Sequence, residues 1–252
     1  MLRCLSLTSY HRVRVRTELD VALAALSRLK ELWISPSLLI SSTLNVIAHL
    51  PRLEIWSVYG EHTGIGPDFI TSPSADAFPS LTTFASVSLQ FSSILSISKA
   101  ANPRHLRKLD VDTCCKESPQ AWYRLIATVT SICPTIQVIN VHGVWNNDGD
   151  PEQSPFSPFL SPTRYCSSLT SLRLVPAPRL HPTVETMRGL LTCLPALETL
   201  ELDESQEPPT LPLFALSELA PLSMHEVLDS LYVFPLEVFP SRCGHLFGYH
   251  SS

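Results

Sequence analysis

One spacing governs what this chain can become. The word Leu-x-x-Leu-x-Leu, with other apolar or small residues standing in at some positions, occurs eight times: Leu2-Leu5-Leu7, Leu29-Leu32-Ile34, Leu53-Trp56-Val58, Leu81-Phe84-Ser86, Leu106-Leu109-Val111, Ile136-Ile139-Val141, Leu169-Leu172-Leu174 and Leu197-Leu200-Leu202. First positions follow one another at 27, 24, 28, 25, 30, 33 and 28 residues, a mean of about 28. Chance produces isolated hits in a chain with 39 leucines among 252 residues, but it does not produce a steady pitch.

A second position repeats with the first. Three residues before each leading leucine from the second word onward stand Leu26, Leu50, Phe78, Pro103, Cys133, Cys166 and Leu194, all apolar or small, as a core-facing site requires. The next residue is proline in four units (Pro51, Pro79, Pro134 and Pro195), where it ends a helix and leads into extended chain. Between the words lie helical patterns: the stretch starting at Thr17, then Ser41–Leu50, Phe91–Ala101, Ser118–Cys133 and Pro182–Leu194. Each unit therefore reads strand, turn, helix, return. A unit this small cannot bury its own apolar face, so neighbours must stack. The pitch lies within the roughly 20–29 residues of leucine-rich repeats. The expected fold is an α/β leucine-rich-repeat solenoid, curved, with a parallel β-sheet on its concave face and helices on its convex face. The array takes residues 1–207 in about eight units. Residues 208–252, in which no repeat register is found beyond Leu222, read as an irregular C-terminal segment or cap.

The words LPRLEIWSV, FPSLTTFAS, CPTIQVINV and LPALETLEL resemble the repeats of F-box and leucine-rich-repeat proteins of mushroom-forming fungi. The resemblance implies a protein-interaction scaffold, the substrate-recognition region of an F-box-type ubiquitin ligase. In such proteins an N-terminal F-box docks on a Skp1-type adaptor and the repeats hold the substrate. Here Met1 leads directly into a repeat strand, so the adaptor is expected only if an F-box is supplied upstream. A stand-alone repeat protein that binds or inhibits a partner, and a truncated gene product, are the alternatives. The turn position eight residues after each leading leucine, usually Asn or Cys in such repeats, fits only at Cys114, so irregular turns are expected.

Period-two alternation exposes positions +2, +4 and +6 of each word. The +4 row reads Ser6, Trp33, Ser57, Ala85, Asp110, Asn140, Arg173, Glu201, and the +6 row Thr8, Ser35, Tyr59, Val87, Asp112, His142, Val175, Asp203. Two zones emerge: Trp33 and Tyr59, of the residue types enriched in binding hot spots, and a polar patch of Asp110, Asp112, Asn140, His142 and Arg173. A protein substrate or peptide is the expected partner on this face.

Charge and motifs narrow the rest. With 18 Lys+Arg against 23 Asp+Glu the chain has no net field for phosphates, and nucleic acid is not an expected partner. His11–Arg16 is a short basic strip of the kind more often solvated than functional. No phosphate loop, Gly-x-Ser-x-Gly elbow or His-Glu-x-x-His occurs, so neither an enzyme nor a cofactor is expected. Cys114 and Cys115 are adjacent, a spacing that rarely serves one tetrahedral metal ion, so no metal is expected. The residues after Met1 lack a secretory pattern, seven cysteines are an odd number, and Leu32–Pro51 and Ala77–Ser98 carry too much Ser, Thr and Pro to span a bilayer. A cytoplasmic or nuclear protein without a membrane partner is expected.

Overall fold

The computed structural model describes residues 2–8, 17–60, 77–87, 89–100, 105–145, 167–177, 189, 192–204 and 230–234. Among the described residues nine strands form one open, all-parallel sheet: β1 (Cys4–Leu7), β2 (Glu31–Ile34), β3 (Ile55–Val58), β4 (Thr83–Ser86), β5 (Lys108–Glu117), β6 (Val138–Trp145), β7 (Ser171–Ala177), β8 (Thr199–Glu204) and β9 (Ser230–Phe234). Their order in the sheet is their order in the chain. Helices α1 (Thr17–Ala24), α2 (Ser41–Ala48), α3 (Phe91–Ala100) and α4 (Pro119–Ile132) connect successive strands, and the architecture is α/β. The segment around Pro182–Leu194 lies mostly outside the described residues.

The lateral register matches the word alignment residue for residue. The +3 positions Leu5, Leu32, Trp56, Phe84, Leu109, Ile139, Leu172 and Leu200 are successive partners across the sheet, as are the +5 positions from Leu7 to Leu202. The +3 row and, in the +5 row, Leu7, Ile34, Val58, Val111, Val141 and Leu174 share one apolar core with Leu23, Leu44, Ile47, Ile94, Ile97, Trp122, Leu125 and Val129 of the helices. Each fully buried Leu or Ile contributes on the order of 1.5–3 kcal/mol, so stacking supplies what a lone unit lacks.

The Leu-Pro-x-Leu word is a turn. In five units the N–H of the leading residue donates to the carbonyl three residues back: Leu29 to Leu26, Leu53 to Leu50, Leu81 to Phe78, Ile136 to Cys133 and Leu197 to Leu194. Proline in the second place pre-sets φ for such a turn and gives up no needed donor. Leu50, Phe78, Cys133 and Leu194 are buried and Leu26 is half-buried, as the core-facing reading requires; Pro103 and Cys166 lie outside the described residues. Phe78 holds a left-handed backbone (φ 56°), rare for a non-glycine residue, and it persists because the buried ring stacks on Trp56 at 5.0 Å.

Hydrogen bonds that repeat from unit to unit tie the array together. The carbonyl at position +1 accepts two N–H groups from the next unit seven times in succession, from Arg3 receiving Lys30 and Glu31 to Thr170 receiving Glu198 and Thr199. Ser80 and Ser168, each just before a leading leucine, donate to the carbonyls of Pro51 and Pro134 in the preceding unit. Part of the serine content thus bridges repeats.

Two departures from the sequence reading stand out. Ser230–Phe234 adds a ninth strand with Leu200 opposite Leu231 and Leu202 opposite Val233, so the register continues into a segment read as irregular. Leu228-x-x-Leu231-x-Val233 in fact carries the same word. It lacks the apolar lead-in of the other words, with His225 and Glu226 in the places of leucine and proline. The second departure is Ser35 and Ser57, expected on the open face but 4% and 8% exposed. The ladder itself is not continuous to the strand ends: the register slips between Thr113 and Lys116, around Cys114, and again between Leu174 and Ala177.

Candidate functional site

Alternation sorts the strand residues between the covered and the open face of the sheet. In β2, Leu32 and Ile34 point into the core while Trp33 between them is 42% exposed. Tyr59, immediately after β3, brings its ring edge-on to Trp33, with centroids 5.6 Å apart and planes at 86°. Its hydroxyl lies 3.0 Å from Ser6 Oγ in β1, so the ring crosses β2 to reach the first strand. The buried serines lie at this crossing: Ser57 is opposite Trp33 in the +4 row, and Ser35 directly follows β2, close to Gly60. Serine at both positions leaves room for the rings. Val87, next to Tyr59 across the sheet, is 39% exposed and extends the apolar zone.

Gly60 closes this corner. Its φ of +154° lies at the edge of the range that disfavours side chains, and a Cβ there would come within 3.2 Å of Pro36 Cδ. The short 3-10 turn Pro36–Leu38 after β2 therefore packs against a residue that has no side chain to obstruct it.

The polar zone lies on β5 to β8. Asp110, Asn140, Arg173 and Glu201 are successive partners in the +4 row, and Asp112 lies opposite His142 in the +6 row. Asp110 forms an ion pair with Lys108 at 3.0 Å, and its Oδ2 is 3.5 Å from Asn140 Nδ2. Arg173 pairs with Glu201 at 2.9 Å. His142 is held below its ordinary pKa, first by burial and then by the Arg173 guanidinium, against the opposing pull of Asp112, Asp110 and Glu201. The imidazole is therefore neutral at neutral pH, with one nitrogen able to donate and the other to accept.

All seven residues singled out in the sequence lie on or directly after the expected strands. Trp33 and Tyr59 touch; Asp110 and Asn140 approach; Asp112, His142 and Arg173 line up beside them. The two zones remain apart, with Ala85 of β4 between them. Lys108, Glu201, Val87 and Ser6 complete the surface without having been selected. Val87 and Glu201 stand in the same exposed rows, and Lys108 in the +2 row, so the alternation that exposed Trp33 could have found them.

No protein-family model matches the chain, and no curated protein matches it. Among the described residues no group of three or more His, Cys, Asp or Glu is placed to hold a metal ion, and no helix is long and apolar enough to cross a membrane. What the geometry offers is a broad face with a rigid aromatic pair at one end and compensated charges at the other. Such a face can recognise and position a partner.

Proposed function

We propose that the chain is a leucine-rich-repeat solenoid and acts as a protein-interaction scaffold, its open sheet face taking a protein or peptide segment anchored on Trp33 and Tyr59. The observation that carries this reading is the unbroken strand order joined to an aromatic pair in which an exposed Trp33 packs on a half-buried Tyr59. A sheet whose order never reverses has no topological switch point, the place where doubly wound α/β folds put their ligand crevice. Its large accessible surface is the open face itself. Trp33 is held edge-on against Tyr59, and Tyr59 is tied to Ser6, so neither ring needs ordering when a partner arrives. Pre-organised aromatics of this kind dominate interface energetics.

The repeat words extend the proposal to the substrate-holding part of an F-box-type ubiquitin ligase, where the contribution is positioning, not chemistry. Two experiments test the two levels. Peptides selected from a displayed library on the folded chain should protect amides of residues 31–35, 55–59 and 83–87 from hydrogen exchange; protection confined to the helices rejects the open-face site. Co-purification of the full-length gene product with a Skp1-type adaptor tests the ligase role, and a full-length product that fails to recruit the adaptor rejects it.

A further inference from the structure

The charges are unevenly distributed along the strands. Positions −1 to +2 of the first five units, residues 28–31, 52–55, 80–83 and 105–108 with the described residues 2–4 of the first, form the N-terminal edge of the sheet and hold six cations (Arg3, Arg28, Lys30, Arg52, Arg107 and Lys108) against two carboxylates, Glu31 and Glu54. The remaining chain holds 12 cations against 21 carboxylates, so this edge is basic on an acidic protein. The backbone bonds from Lys30 to Arg3, Glu54 to Lys30, Thr82 to Glu54 and Arg107 to Thr82 put the +1 residues side by side across five strands. Lys30 and Lys108 are matched by Glu54 and Asp110. Arg3, Arg52 and Arg107 are exposed and form no ion pair among the described residues.

We infer that this edge is a second docking surface, which takes an extended acidic segment of a protein partner. Three features select that occupant. Arg3, Arg52 and Arg107 carry guanidinium groups, whose planar forks suit carboxylates. From β1 to β5 is four strand spacings, about 19 Å, the reach of about six extended residues, so a carboxylate at every second or third residue meets the arginines in turn. Against a single-stranded nucleic acid, the edge carries no Phe, Tyr or Trp on which bases could stack, and the acidic remainder of the chain repels a polyphosphate. The surface lies at the opposite end of the strands from Tyr59 and Val87, so its success or failure is separable from that of the aromatic anchor.

The test uses the full chain and fluorescein-labelled decaglutamate, followed by fluorescence anisotropy. Saturable binding is expected in 20 mM salt, weaker by about tenfold or more in 150 mM, because exposed ion pairs are individually small and screened. Arg52→Glu with Arg107→Glu should weaken binding at least about tenfold, whereas Arg52→Lys with Arg107→Lys, which keeps the charge and loses the paired donors, should weaken it by only about threefold. Arg124→Glu, exposed on α4, should leave the affinity unchanged. Absence of saturable binding by the wild-type chain at low salt, equal weakening by Arg124→Glu, or tighter binding of a ten-nucleotide single strand through the same arginines overturns the proposal.

Discussion

The Tyr59 hydroxyl meets Ser6 Oγ at 3.0 Å across the width of β2, and the ring it carries braces Trp33. A residue of the third unit therefore fixes a side chain of the second by holding on to the first. Tyr59→Phe keeps the ring and removes the tether. The bond is exposed, so its loss is expected to cost no more than about 1 kcal/mol in urea denaturation. The edge-on contact with Trp33 survives in that variant, and binding through the aromatic pair should change little.

Gly143 is where packing leaves least freedom. A Cβ there would lie 2.9 Å from Trp122 Cζ2 and 3.0 Å from Thr113 Cγ2, both in fully packed surroundings. Gly143→Ala forces the indole of α4 or the neighbouring strand to move, and overpacking of this kind costs about 1–3 kcal/mol. A lowered thermal midpoint with unchanged strand content by circular dichroism is the expected result. An unchanged midpoint shows that α4 can shift without cost.

His142 links the polar zone to pH. Burial and Arg173 hold its pKa below 6.5, so the unfolded chain takes up the proton first as pH falls. Its contribution to stability is therefore complete above pH 6.5 and is lost as pH drops from there through the lower folded value. Imidazole resonances followed by NMR should give a midpoint for His142 below that of an unperturbed histidine. The denaturation midpoint of His142→Gln should fall less between pH 7.5 and 5.5 than that of the wild type, and equal pH dependence would contradict the assignment.

The strand registers were legible because they rest on a single physical rule. A leucine every third and then second position is buried only if each word lies flat beside its neighbour, and the ladder from Leu5 to Leu200 follows that rule without a slip. The helices were legible from the same need to cover one face. Ser35 and Ser57 were not, because alternation gives the direction of a side chain but not what other parts of the chain pack beside it. The strand at Ser230–Phe234 is hidden for another reason: its word keeps the pitch, with Leu228 31 residues after Leu197, but it follows a proline-rich stretch and has His225 and Glu226 where the other units carry the apolar lead-in. The site shows the same division. Trp33 and Tyr59 could be placed on adjacent strands from spacing, but the tether to Ser6 depends on the path of a side chain, which no periodicity encodes. Likewise the pairing of Arg173 with Glu201, and not with Asp110 or Asp112, follows from side-chain reach and rotamer after the row is built.

The claim that the open face binds through its aromatic pair is tested most directly by the affinity of a face-binding peptide for the Trp33→Ala, Tyr59→Ala double variant. Hot-spot aromatics typically carry about 2 kcal/mol or more each, so the Kd should rise by about 100-fold or more while the circular dichroism stays that of the wild type. An unchanged Kd with the fold intact would contradict the claim.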